Sequence, residues 1–102
     1  MKNTKPPLEK SIVNSIIKYL NSLPQCRAIK VSGDAKRSGE PDIDCVYRGQ
    51  AYKIEVKRSG GKATRLQKAI LAKWAAAGAI TGVVTSVDEV KELLGEEVIP
   101  IE

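Results

Sequence analysis

The sequence contains no histidine and no phenylalanine, and its aromatic residues are one tryptophan and three tyrosines. The lack of histidine excludes imidazole general acid–base catalysis, His-ligated zinc and phosphohistidine chemistry together. Any proton transfer has to use carboxylates, lysine, tyrosine or a water activated by a metal. The scarcity of aromatics argues against a single-strand-binding module, which spends several exposed rings on stacking bases. Contact with a phosphate backbone fits better. Cysteine is also sparse: Cys26 and Cys45 lack a C-x-x-C spacing and read as buried reduced thiols rather than a zinc site. No run is apolar and long enough to span a bilayer, and the first seven residues have no apolar signal core. An intracellular, cytoplasmic protein is therefore expected.

What is present is one small domain, expected to span residues 1–102, with 42% hydrophobic and 28% charged residues. The formal net charge of +5 favours a polyanionic partner without identifying it. Residues 7–22 carry a helical apolar stripe, with Pro6 and Pro7 tolerable in the first turn and Leu23-Pro24 ending it. Residues 26–31 alternate as a strand does. Residues 43–47 and 51–57 read as two strands of a hairpin joined at Arg48-Gly49-Gln50. Thr64-Arg65-Leu66-Gln67 matches a capping box opening a helix to about Ala77, on whose apolar stripe Trp74 is expected to pack in the core. Residues 79–85 form a continuous apolar run, as in a buried parallel strand, and Ser86-Val87-Asp88-Glu89 opens a last short helix. The order αβββαβα predicts an α/β fold, a mixed central sheet flanked by helices.

Against that frame, several charged residues converge. In Tyr52-Lys53-Ile54-Glu55-Val56-Lys57, strand alternation puts Glu55 and Lys57 on one face. Lys53 shares that face, so a solvated charged face competes as an explanation. Yet this strand should be central, and charges on a central strand need a cavity or an ion. Upstream, Gly39-Glu40-Pro41-Asp42 brings Asp42 to the start of a strand; Asp44 lies on the same face and is its rival. On a helical wheel Glu9 sits within the apolar stripe of Ile12, Val13, Ile16, Ile17, Leu20 and Leu23, where a carboxylate would need a metal or a lysine. Alternatively it belongs to a frayed first turn stabilised by the helix dipole. Gln67 either serves only the capping box or reaches Lys57, a water or a phosphate. Lys36, Arg37, Arg58, Lys62, Arg65 and Lys68 flank these residues and suit phosphate contacts, or else form an ordinary solvated surface.

These residues together resemble the PD-(D/E)xK nuclease superfamily, and within it the VRR-NUC (virus-type replication-repair nuclease) branch. The likeness runs from Glu9 through Gly39-Glu40-Pro41-Asp42, Ile54-Glu55-Val56-Lys57 and residues 61–67 to the closing strand and helix in 82–90. It implies a restriction-endonuclease-like αβββαβ(α) core and Mg²⁺- or Mn²⁺-dependent cleavage of DNA, often by a homodimer. A preference for branched or Holliday-junction DNA and a stand-alone phage or prophage form are further implications. Under this resemblance Asp42, Glu55 and the Val56 backbone carbonyl would hold the metal, with Glu9 joining directly or through water. Lys57 would orient or deprotonate the attacking water, or offset charge on the phosphate; Gln67 would assist. The alternative is a basic DNA-binding module that keeps the scaffold without catalysis.

Overall fold

A computed structural model describes residues 8–33 and 36–96. Pro6 and Pro7, expected in the first helical turn, lie outside the described residues. The elements are α1 (Glu9–Ser22), β1 (Cys26–Lys30), β2 (Ile43–Tyr47), β3 (Gln50–Val56), α2 (Arg65–Ala76), β4 (Ile80–Val84) and α3 (Val87–Leu93). They form one four-stranded sheet in the order β1-β2-β3-β4, antiparallel except for the parallel pair β3–β4. This is the mixed α/β arrangement expected of a restriction-endonuclease-like core. No helix among the described residues is long and apolar enough to cross a membrane.

The hairpin register follows from its turn. Arg48 and Gly49 both have positive φ (50° and 81°), the pair of left-handed residues that a two-residue type I′ turn demands. With Tyr47 then opposite Gln50, Asp44 falls opposite Lys53 and Ile43 opposite Ile54. One step beyond the ladder, the same register sets Asp42 opposite Glu55. The strand expected at 51–57 begins and ends one residue earlier, although the Lys57 N–H still donates to the Val84 carbonyl (2.9 Å).

Period-two alternation then divides the sheet into two unlike faces. One carries Ile43, Cys45, Tyr47, Tyr52, Ile54 and Val56, all buried. α1 lays Ile12, Val13, Ile16 and Leu20 on it, and α3 adds Val90. Asn21 ties the end of α1 to the edge strand, donating to the Ala28 carbonyl (3.0 Å) and accepting from its N–H (2.8 Å). Gly82 allows this layer to close, because a Cβ there would lie 2.9 Å from Leu93. The free thiols Cys26 and Cys45 sit 3.6 Å apart in the same layer, and burial first, then its neighbour Cys26, pushes the Cys45 thiol up to about 12. The other face carries Asp42, Asp44, Lys53, Glu55 and Lys57, and α2 covers only its β3–β4 half. Ile29 and Val46, on the β1–β2 half, remain half exposed.

Candidate active site

The charged face is organised by its approach loop. Gly39 has φ +86° and a Cβ there would meet Leu66 and Ile70 of α2 at 2.7 Å, so only glycine lets the loop pass beneath the helix. Pro41 is fully buried and delivers Asp42 to the head of β2. The Asp42 main chain is fixed by a hydrogen bond from the Val31 N–H to its carbonyl (2.8 Å).

Both Asp42 carboxylate oxygens are engaged. Oδ1 accepts from Lys36 Nζ at 2.7 Å, and Oδ2 accepts from the Val56 N–H at 2.9 Å. In a sheet, a residue directs its N–H and C=O to the same side. The Lys57 N–H points to β4, so the Val56 carbonyl points with its N–H toward Asp42.

Glu55 is only 2% exposed, the one buried charged residue among those described. Its Oε2 accepts from Gln67 Nε2 (3.2 Å) and lies 3.6 Å from Lys57 Nζ. Its Oε1 is buried with no hydrogen-bond partner. Burial, then the charge and proximity of the Asp42 carboxyl, pushes the Glu55 carboxyl up to about 7, against the opposing charges of Lys57 and Lys36. Burial also acts to raise Asp42, but the hydrogen bonds from Lys36 and the Val56 N–H and the Lys36 charge outweigh it. Asp42 therefore ends below the usual carboxylate range. The two carboxyls behave as a pair in which Asp42 ionises first and Glu55 holds the proton.

Gln67 completes the capping box, and its amide turns to Glu55 rather than to the Lys57 the sequence offered as its partner. Its Oε1 accepts from the Thr64 N–H (2.8 Å) and its own N–H donates to Thr64 Oγ1 (3.1 Å), completing the capping box. That bond leaves Nε2 turned toward Glu55. Asp44, the rival of Asp42, is engaged elsewhere: Lys53 Nζ binds its Oδ1 at 2.9 Å and lies 3.9 Å above the Trp74 ring.

Two expectations need correction. Glu9 is exposed rather than buried, because it is the first residue of α1 and the buried stripe begins only at Ile12. Ser11 and Ser15 line a cavity with Thr85 and Ser86 beyond β4, so this end of α1 lies at the same end of the sheet as the carboxyl pair. Trp74 is half-buried outside the core; it stacks on Lys53 and donates Nε1–H to Glu40 Oε1 (3.0 Å), fastening the approach loop to α2. Lys36 binds Asp42 at 2.7 Å in the absence of nucleic acid. Arg37, Lys62, Arg65 and Lys68 are exposed around the site, and Arg58 is half-buried beside it.

The Asp42–Lys36 and Lys53–Trp74 pairings escaped the sequence reading for different reasons. Lys53 meets Trp74 between β3 and α2, a contact that no periodicity within either element reports. Nothing in the pattern signals that Lys36 folds back across a loop.

One solved structure described as a "VRR_NUC domain" superposes with a TM-score of 0.71 at 26% identity, covering 85% of this chain and 94% of that one. The fold is that of a VRR-NUC domain. A second structure, a "VRR_NUC domain protein", gives a TM-score of 0.72 at 16% identity over 89% of this chain and 88% of that one. No family model and no curated protein matches the chain.

Proposed function

We propose that the protein is a divalent-cation-dependent nuclease that hydrolyses DNA phosphodiester bonds. The observation that carries this reading is the Asp42–Glu55 pair beside Lys57, where Glu55 Oε1 is buried with no protein donor and is satisfied only by a proton shared with Asp42 or by a cation. A stable protein gains nothing from such an atom, whereas a cation satisfies it. The donors are carboxylates and the Val56 carbonyl, hard oxygens that suit Mg²⁺ or Mn²⁺. Among the described residues no group of three acidic, cysteine or histidine side chains could hold a metal. The remaining coordination falls to the Val56 carbonyl, water and substrate oxygens, with exposed Glu9 contributing through water.

Bound there, the cation would lower the pKa of a coordinated water and offset charge at the phosphate. Asp42 and Glu55 would place it, and the Val56 N–H and Gln67 amide keep each carboxylate in one orientation. Lys57, next to Glu55, would orient or deprotonate the attacking water or offset developing charge. Arg37, Arg58, Lys62, Arg65 and Lys68 would hold the backbone of the nucleic acid without reading its sequence. Symmetric cutting of both strands of a branched substrate would require two copies, so a homodimer is part of the proposal; a monomeric mass by light scattering would remove that part.

The test is cleavage of supercoiled, linear, flapped and four-way DNA with Mg²⁺, Mn²⁺ or EDTA. Cation-dependent cutting, lost in Glu55→Ala and Lys57→Ala, is expected. Cutting at the wild-type rate by either variant would overturn the assignment. Salt-sensitive binding without cleavage, indifferent to EDTA and to Asp42→Asn, would instead establish the non-catalytic module.

A further inference from the structure

Lys36 carries an inference beyond phosphate contact. Its ammonium lies 2.7 Å from Asp42 Oδ1, and neither side chain is more than about a quarter exposed (27% and 22%). With Oδ2 taken by the Val56 N–H, Oδ1 is the Asp42 oxygen left for a cation, and Lys36 occupies it. Lys36 and Lys57 set two cations against at most two anions, Asp42 and Glu55, so the site needs no metal for its charge balance. Adding a divalent ion to that balance leaves a surplus of positive charge at close quarters.

The Lys36 N–H donates to the Gly33 carbonyl (3.1 Å), the Glu40 N–H donates to the Arg37 carbonyl (3.1 Å), and Gly39 is wedged under Leu66 and Ile70. The part free to leave is the side chain itself, a compact charge on a flexible four-carbon stem. Once displaced from Asp42, it remains tethered within a lysine's length of the site, on the side where Arg37 is exposed.

We propose that Lys36 is an internal counter-ion of the site, which a divalent cation must displace from Asp42 and which then binds a phosphate of the nucleic acid. Cation binding in the absence of DNA is weakened by this competition. Cation and DNA therefore favour one another, because each takes one end of the exchange. This rests on the cation-dependent reading above. An ordinary solvent-exposed ion pair would produce neither effect.

The test is Mn²⁺ affinity by isothermal titration calorimetry without DNA, for wild type, Lys36→Met, Lys36→Arg and Lys18→Gln. Lys18 is exposed on α1, across the sheet, and controls for net charge. Lys36→Met should bind Mn²⁺ roughly tenfold more tightly, while Lys36→Arg and Lys18→Gln stay near wild type. In a Lys57→Ala background, which removes turnover, the gain in affinity for a short duplex on adding Mn²⁺ should shrink when Lys36 is also methionine. A Lys36→Met protein with unchanged or weaker Mn²⁺ affinity, an equal tightening in Lys18→Gln, or an undiminished Mn²⁺-dependent gain in DNA affinity would overturn the proposal. Failure of wild type and of Lys36→Met alike to bind Mn²⁺ would overturn the cation-dependent nuclease reading, whereas equal binding by the two would overturn only the Lys36 proposal, which separates the two failures.

Discussion

The two faces of this sheet are built from alternate residues of the same strands, yet they follow opposite rules. Ile54 and Glu55 are neighbours in β3 and both are buried. Ile54 is surrounded by apolar side chains and stabilises the fold. Glu55 is a carboxyl with one oxygen lacking a partner, and burial pushes it up to about 7. The first face is what a foldable sequence needs. The second keeps a group whose ionised form is costly until something positive arrives, and such groups gather where chemistry is done.

The largest effect that separates the faces should be in cleavage. Glu55→Ala or Lys57→Ala should lower the rate on the order of 10³-fold, with circular dichroism unchanged. Ile54→Ala should do the reverse, lowering stability by about 2–5 kcal/mol in urea while the residual folded protein still cuts. A Glu55→Ala protein that unfolds and an Ile54→Ala protein that does not would erase the distinction.

The pH dependence sharpens it. Glu55 has its folded-state pKa raised from 4.5 to about 7. Between those values the unfolded chain has released the proton that the folded chain retains. Stability of the cation-free protein should therefore fall as pH rises from about 4.5 to 7, by at most about 3 kcal/mol. Asp42 acts with the opposite sign: its lowered pKa adds stability above about pH 4 that is lost on further acidification. Urea titrations across this range in EDTA check both limbs, and a flat profile from pH 5 to 7 would contradict the first.

Smaller effects test the supporting residues. Gln67→Ala should cost about 1 kcal/mol through the cap and about tenfold in cleavage through the loosened Glu55. Thr64→Ala loses the cap but spares the Gln67–Glu55 contact, so its cleavage should fall less. Smallest of all, Asp44→Asn should leave the cleavage rate within about twofold, because Asp44 is spent on Lys53 rather than on the carboxyl pair.

Much of this was legible in the sequence because alternation and turn chemistry are local rules. The element order, the central place of β3 and the parallel β4 all followed from them. The connection expected at Arg48-Gly49-Gln50 proves to be the two-residue turn Arg48-Gly49, and that one-residue difference is what sets Asp42 opposite Glu55 and Asp44 opposite Lys53. The misreadings share a physical cause. Glu9 fits the wheel's apolar stripe, but a wheel has no ends, and the first turn of α1 precedes the stripe's buried part. Trp74 fits a stripe that faces a charged sheet surface, so Lys53 and Glu40 replace the core it was expected to enter. Lys36 is placed by a loop, where no periodicity operates.

The most direct test is thermal denaturation of wild type and Glu55→Gln at neutral pH, each in EDTA and in Mn²⁺. Without cation, Glu55→Gln should have the higher Tm, because a neutral amide can donate to Asp42 and removes the buried charge. With Mn²⁺ the order should invert, wild type gaining stability that the variant does not. A wild-type Tm indifferent to Mn²⁺, or a variant that melts below wild type in EDTA, would contradict the account.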